Sequence, residues 1–368
     1  MIAVFAYAFP HRKSHDFLVE LALMGQREVT VIGAPFQKLP SMDRTVYFPH
    51  TLRAVPPLDT KELCERLGFS FVEMPHSDID GIINLVDEHG LELGIISGAR
   101  ILKRPVIEAF KQGIVNFHPG KIPETSGLDA FFYTLKNGVD AGVTTHLIDP
   151  RVDAGQHLAF DATQISATDT PEIVQENTYR LQITALRQFL DCWTKSELSP
   201  TALHRPTKNE PMAPSKKWET LLNFPAWRAT RVRMQAFESM KVACNQGDVQ
   251  AVSKILEIHP DLLEERTEKG WTPLIMAAFN QRLELTNYLL EHRANPNATG
   301  RNGTTVLMYA KTALMAHPNA SFELLDTLLA SGADPLRTDM HGRALMDYVK
   351  DAKAEHLERY FQEKIGRH

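Results

Sequence analysis

Residues 114–155 read IVNFHPGKIPETSGLDAFFYTLKNGVDAGVTTHLIDPRVDAG, which sets Asn116 and His118 two positions apart and brings in Asp153 35 positions after the histidine. An apolar, β-type run, Gly113-Ile114-Val115, leads directly into Asn-Phe-His-Pro-Gly. Both polar side chains are therefore expected where a buried strand opens into a loop, and ligands of open α/β sheets bind at strand ends of this kind. Taken alone, Asn116 and His118 would serve loop backbone groups and Asp153 would be a turn residue ahead of Gly155. The pattern of residues around them argues for chemistry instead.

Around this stretch, over residues 1–195, apolar β-type runs and amphipathic segments alternate. Strands are expected over 2–7, 28–32, 70–74 and 91–96. Helices are expected over 14–23, with Ser14 as the cap, and over 60–67, 78–88, 105–112, 128–136 and 172–195. Such alternation implies a parallel sheet with helices on both faces, joined by right-handed crossovers.

A length of 368 residues suggests two or three domains, and 43% hydrophobic content is ample for folded cores. Cys64, Cys192 and Cys244 lie far apart, so neither a disulfide framework nor a metal site is expected. The opening MIAVFAYAF lacks a basic segment before it and a small-residue cleavage site after it, and reads as a first buried strand. No apolar run reaches the ~18 residues of a membrane span. A net charge of −5 argues against a dedicated nucleic-acid surface. A cytoplasmic location is the expectation.

Residues 196–232 hold Pro200, Pro206, Pro211, Pro214 and Pro225 among Ser and Thr, the composition of an extended connector. Trp218 and Trp227 suggest that its end docks. From residue 233 the chain repeats itself. Gly270-Trp271-Thr272-Pro273-Leu274 recurs as Gly303-Thr304-Thr305-Val306-Leu307, 33 residues on, which is the ankyrin period. A third copy starts at Gly342 after an insertion near 315–320, and Asn245-Gln246-Gly247-Asp248 opens an earlier, degenerate unit. About four stacked helix pairs are expected over 233–368, with capping units at the ends.

The ordered residues Asn116, His118, Pro119, Gly120, Pro123, Gly127, Gly142, Val143, Thr144, His146, Asp149, Asp153 and Gly155 resemble the pattern of the folate-dependent formyltransferases. That family includes glycinamide ribonucleotide, methionyl-tRNA and nucleotide-sugar formyltransferases. The resemblance extends more weakly over 1–195. Gly120 stands where Ser is common, and Ser126 where many members carry a basic residue. The resemblance implies a Rossmann-like, parallel-rich α/β catalytic domain over 1–195, a connector over 196–232 and an all-α ankyrin domain over 233–368.

It also implies transfer of a formyl group from 10-formyltetrahydrofolate to a primary amine, without a metal. Such a transfer passes through a tetrahedral carbon whose oxygen gains negative charge while the amine loses a proton. Asn116 and His118 would donate to that oxygen, and Asp153 would fix the imidazole tautomer and relay the proton.

Three loops should line the site. The resemblance implies that Ser97, Gly98, Ala99, Arg100, Ile101 and Leu102 lie against the pteridine, with Asp149 in a second wall of the same pocket. His11, Arg12, Lys13 and Ser14, at a helix start suited to phosphate, and Lys121 are expected on the acceptor substrate. His146 is expected either to line the pocket or to pack on its strand. Some nucleotide-sugar formyltransferases carry a C-terminal ankyrin array, and the resemblance in domain order makes a nucleotide-linked amino sugar the leading acceptor. A tRNA-bound or free amino acid, another small amine, and an inactive scaffold are the alternatives. A protein partner or second nucleotide on the array, and a homodimer, complete the expectations.

Overall fold

The computed structural model describes residues 1–37, 57–151, 153–203, 209–317 and 319–365. Pro206 of the expected connector, Val152 of the expected pteridine wall and Pro318 of the repeat insertion lie outside the described residues. The chain divides into two compact units, Met1–Arg231 and Val232–His368.

The first unit runs β1 (Ile2–Tyr7), α1 (Arg12–Leu23), β2 (Val29–Ala34), α2 (Thr60–Leu67), β3 (Ser70–Glu73), α3 (Ile79–His89), β4 (Leu93–Ile96), α4 (Arg104–Ala109), β5 (Ile114–His118), α5 (Ala130–Asn137), β6 (Gly142–Ile148), β7 (Gly155–Ala162), α6 (Pro171–Thr194), β8 (Thr201–Ala202) and α7 (Pro214–Leu222), and α8 (Phe224–Gln246) contains the division. The strands form one sheet in the order β3-β2-β1-β4-β5-β6-β7-β8. Pairing is parallel from β3 to β5 and antiparallel from β5 to β8. Strands β1 and β2 are apolar almost throughout and buried, as a parallel sheet covered on both faces requires. One face packs Phe17, Phe117, Leu186 and Phe189, and the other Phe5, Ile82, Phe110 and Ile114. The chain reverses its direction of travel across the sheet between β1 and β4, and ligand crevices of open sheets lie at such points.

Three local features differ from the expectations. Helix α1 starts at Arg12 because His11, not Ser14, is its cap: the His11 ring accepts from the Ser14 N–H. Strand β5 continues through His118, since its antiparallel partner β6 keeps the ladder going past Asn116. The stretch 196–232 holds β8, α7 and the start of α8, and Trp227 donates through Nε1 to the Val139 carbonyl at 3.0 Å, while Trp218 is exposed.

The second unit pairs the end of α8 with α9 (Val249–Ile258), α10 (Pro273–Phe279) with α11 (Leu283–Glu291), α12 (Val306–Leu314) with α13 (Glu323–Ala330), and α14 (Leu345–Asp351) with α15 (Glu355–Ile365). The repeated Thr is a helix cap: Thr272 and Thr305 accept from the N–H groups of Ile275 and Met308. The repeated Gly answers a close approach. Gly270 has φ +76°, and a Cβ there would stand 2.7 Å from the Arg301 nitrogen of the next loop tip, which itself donates to Lys269 O at 3.1 Å.

Candidate active site

Asn116 and His118 are two apart on β5, so they share one face of the sheet, while Phe117 between them packs edge-on against Phe17 and Phe189 on the other. In the ladder Asn116 lies opposite His146 and His118 opposite Thr144. Asp153 comes from the β6–β7 turn, in the left-handed region with φ +47°. Its Oδ2 lies 3.4 Å from Nδ1 of His118 and accepts from the Gly127 N–H at 2.6 Å. The three residues expected to carry the chemistry are thus brought together.

His118 is buried, and its Nε2 lies 2.9 Å from the Thr125 carbonyl. Both ring nitrogens therefore face oxygen acceptors. Burial works to raise the Asp153 carboxyl, but the His118 hydrogen bond and charge, the Gly127 N–H and His146 hold it below the usual carboxylate range. Asn116 Nδ2 lies 3.3 Å from Nε2 of His146, and Nδ1 of His146 lies 3.1 Å from the Ala154 carbonyl. His146 is fully buried, and that burial pushes its imidazole down to about 4.

The first-strand loop is turned inward more than a phosphate cradle needs. Arg12 spans Glu176 with bonds of 2.8 and 2.7 Å and lies 3.9 Å over the Tyr179 ring, so its charge is committed to α6. Ser14 is buried against Ser97, with 3.2 Å between hydroxyls. Burial pushes His11 down to about 4. Lys13 is different. Its amine donates to Phe117 O at 3.2 Å, between Asn116 and His118, and burial pushes it down to about 7 against the pull of Asp153. Lys13 therefore stands beside the trio.

In the loop after β4, Ser97 is buried and its hydroxyl lies 3.0 Å from Phe5 O, whereas Ile101 is exposed and Leu102 buried. Gly98 is needed for space, since a Cβ would stand 2.9 Å from the Tyr7 ring. The Arg100 N–H donates to Nδ1 of buried His76, whose Nε2 lies 3.1 Å from Ile32 O. No local spacing in the sequence marks His76, because its partners lie 24 and 44 residues away. Asp149 caps a turn, accepting from the Arg151 N–H at 2.8 Å and pairing with its guanidinium, which holds the carboxyl below its usual range. Lys121 pairs with Asp140 at 3.7 Å. Thr144, part of the ordered sequence pattern but given no role there, shapes the loop after β5: its hydroxyl donates to Gly120 O at 2.6 Å and accepts from Ile122 N–H at 3.1 Å.

The second unit carries a cleft of its own, of about 340 Å³, at the repeat loop tips. Glu268, Lys269, Trp271, Arg301, Asn302 and Tyr309 line it. The Trp271 and Tyr309 rings meet at 5.0 Å, and the Lys269 amine sits 5.5 Å over Trp271.

Among the described residues, no cluster of His, Cys, Asp or Glu has the arrangement of a metal site, and no helix is long and apolar enough to cross a membrane.

Residues 71–190 match the formyl transferase family, and residues 240–339 match ankyrin repeats in three copies. The chain is 31% identical over 103 residues to phosphoribosylglycinamide formyltransferase of Bacillus subtilis, a match covering 27% of this chain and 53% of that protein. It is 23% identical over 111 residues to methionyl-tRNA formyltransferase of Finegoldia magna, covering 30% of this chain and 36% of that protein. The chain thus spans about half, or less, of the length of these relatives. A crystal structure of phosphoribosylglycinamide formyltransferase from Streptococcus pneumoniae superposes with a TM-score of 0.40 at 21% identity, over 52% of this chain and 98% of that one. The chain carries a formyl transferase domain, built on a mostly parallel sheet with helices, and ankyrin repeats.

Proposed function

We propose that the chain transfers a formyl group from 10-formyltetrahydrofolate to a primary amine, that of a nucleotide-linked amino sugar first among them. The observation that carries this reading is the convergence of Asn116, His118 and Asp153 on one sheet face, with the carboxylate 3.4 Å from the imidazole. The bound folate supplies the formyl carbon on a nitrogen that can leave. Asn116 holds an N–H group toward the formyl oxygen, where negative charge grows as the amine adds, and His118 joins it once its Nε2 exchanges the Thr125 carbonyl for the substrate oxygen. Asp153 holds His118 and takes up the proton that the amine sheds, for return to the departing nitrogen.

The loop after β4 suits a flat, hydrogen-bonding ring. Among the described residues no bond takes the N–H groups of Ala99, Ile101 and Leu102, and exposed Ile101 offers an apolar wall. Lys13 supports an anionic feature in the acceptor, whereas the Glu176 pairing removes Arg12 from that role. The cleft at Trp271 favours a nucleotide as the partner of the repeat array: an aromatic face stacks a base, and Lys269 and Arg301 meet its phosphates.

The test is a melting-temperature series with 5-formyltetrahydrofolate and with dTDP- and UDP-linked nucleotides, followed by turnover with 10-formyltetrahydrofolate and a panel of amines. Folate stabilisation with turnover of an amino-sugar nucleotide is the expected result. Turnover of other amines alone would replace the sugar. Absence of any folate effect would overturn the reading.

A further inference from the structure

We propose that His146 is a positioning residue for the transfer, acting through Asn116 to aim an amide N–H, and not the amide oxygen, at the reacting carbonyl. This rests on the formyl-transfer reading above. The two ends of an Asn side chain have nearly the same shape, yet only the NH2 end can stabilise a growing negative charge. Some neighbour must decide which end faces the ligand, and the structure supplies one.

The Ala154 carbonyl can only accept, so the ring nitrogen 3.1 Å from it, Nδ1, carries the proton. Nε2 of the neutral ring is then a lone pair, 3.3 Å from the Asn116 amide. A lone pair admits the NH2 group and rejects the oxygen. One N–H of Asn116 is spent on His146, and the other, about 120° away in the amide plane, remains for a ligand. Because the His146 ring is fully buried, no water can replace it in this role.

The placement is built into the sheet. His146 is the direct ladder partner of Asn116, and the register of β6 against β7 shifts between Thr145 and His146, an irregularity of the kind that re-aims side chains beside active sites. Ala154 also follows Asp153 directly. One turn therefore orients both halves of the site: its carboxylate holds His118, and its next carbonyl holds His146 and through it Asn116.

Three variants separate aiming from mere packing. His146→Leu fills the space without a polar atom. His146→Asn keeps a donor near Ala154 but gives Asn116 no acceptor. His146→Gln returns an acceptor near the position of Nε2. Turnover number, KM for folate and for amine, and melting temperature would be measured for each. The expected result is a loss of kcat of at least about 10-fold in Leu and Asn, with both KM values within about twofold of wild type and substantial recovery in Gln. A folded Leu variant with wild-type kcat would overturn the proposal, as would losses that track melting temperature with Asn and Gln alike.

Nitrogen NMR of histidine-labelled wild-type protein at pH 7 supplies an arm independent of turnover and of variant folding. A neutral ring protonated on Nδ1 supports the proposal, and one protonated on Nε2 overturns it. Wild-type protein that forms no product with any amine would instead count against the function reading, leaving this NMR result to judge His146.

Discussion

The Gly127 N–H donates to Oδ2 of Asp153 at 2.6 Å, and the same oxygen stands 3.4 Å from Nδ1 of His118. The carboxylate is thus shared between a loop backbone and the His118 imidazole, which fixes its direction at the cost of burying a charge. Asp153→Asn keeps the shape but places a weaker acceptor, or an N–H, against these two donors. Turnover is expected to fall at least about 100-fold, as for His118→Ala, with the fold retained. Steady-state rates with circular dichroism check this, and a near-normal rate in either variant would remove its assigned role.

The acid limb of stability should depend on His146. Its pKa is about 4 in the folded state against an ordinary 6.5, so between those values the unfolded chain binds the extra proton. This contribution is fully present above pH 6.5 and is lost as pH falls toward 4. The loss by pH 4.5 is about 2–3 kcal/mol, at 1.36 kcal/mol per pKa unit. Asp153 adds in the same direction but lower, because its carboxyl is already held below the usual range. Denaturant melts at pH 7 and 4.5 should show a smaller acid loss in His146→Gln than in wild type; an equal loss would contradict the lowered pKa.

Gly155 closes the turn that carries Asp153. It has φ +112°, and a Cβ there would stand 2.0 Å from the Leu147 carbonyl oxygen, so the strand backbone itself would have to move. Gly155→Ala should cost more than about 2 kcal/mol of stability and reduce turnover together with it. A stable, fully active variant would show that the turn relaxes without moving Asp153.

Much of this was legible in the sequence where one local rule acts alone. The strand that ends in Asn116-Phe117-His118, the alternation before it and the 33-residue spacing of Gly270 and Gly303 each reflect a single periodicity or turn requirement. What was not legible depends on long-range pairing. Arg12 reads as a phosphate ligand until Glu176, 164 residues later, takes its guanidinium. His76 carries no local signal, and the contacts of His146 were not legible from its place in the pattern, because these partners are set by sheet register and by turns elsewhere in the chain. The 196–232 stretch reads as extended from its prolines, yet Pro214 sits in the first turn of α7, where its missing N–H costs nothing.

Lys13 combines a stability cost with the binding role proposed for it. Burial lowers its amine to about 7, so between pH 7 and 10.5 the unfolded chain holds the proton more readily, and folding gains as pH rises through that window. Lys13→Met removes the cost. The variant should melt higher than wild type at pH 7, with the difference shrinking toward pH 10, while its KM for the acceptor rises. Unchanged acceptor KM would separate Lys13 from the substrate.

Trp271 makes the repeat-array reading measurable. Its ring is half-buried, meets Tyr309 at 5.0 Å and has Lys269 above it, so a stacked base would both quench its emission and draw its phosphates to Lys269 and Arg301. Nucleotide diphosphates should quench fluorescence in a saturable way, with tighter binding than the nucleoside because two cations meet the phosphates. Trp271→Ala should abolish that binding, and Arg301→Ala should weaken it at least about fivefold and flatten its salt dependence. Both residues belong to the second unit, whereas the residues proposed to carry transfer belong to the first, so turnover per active site at saturating substrate should stay near wild type. Binding that survives Trp271→Ala would place the nucleotide elsewhere and return the array to a protein partner.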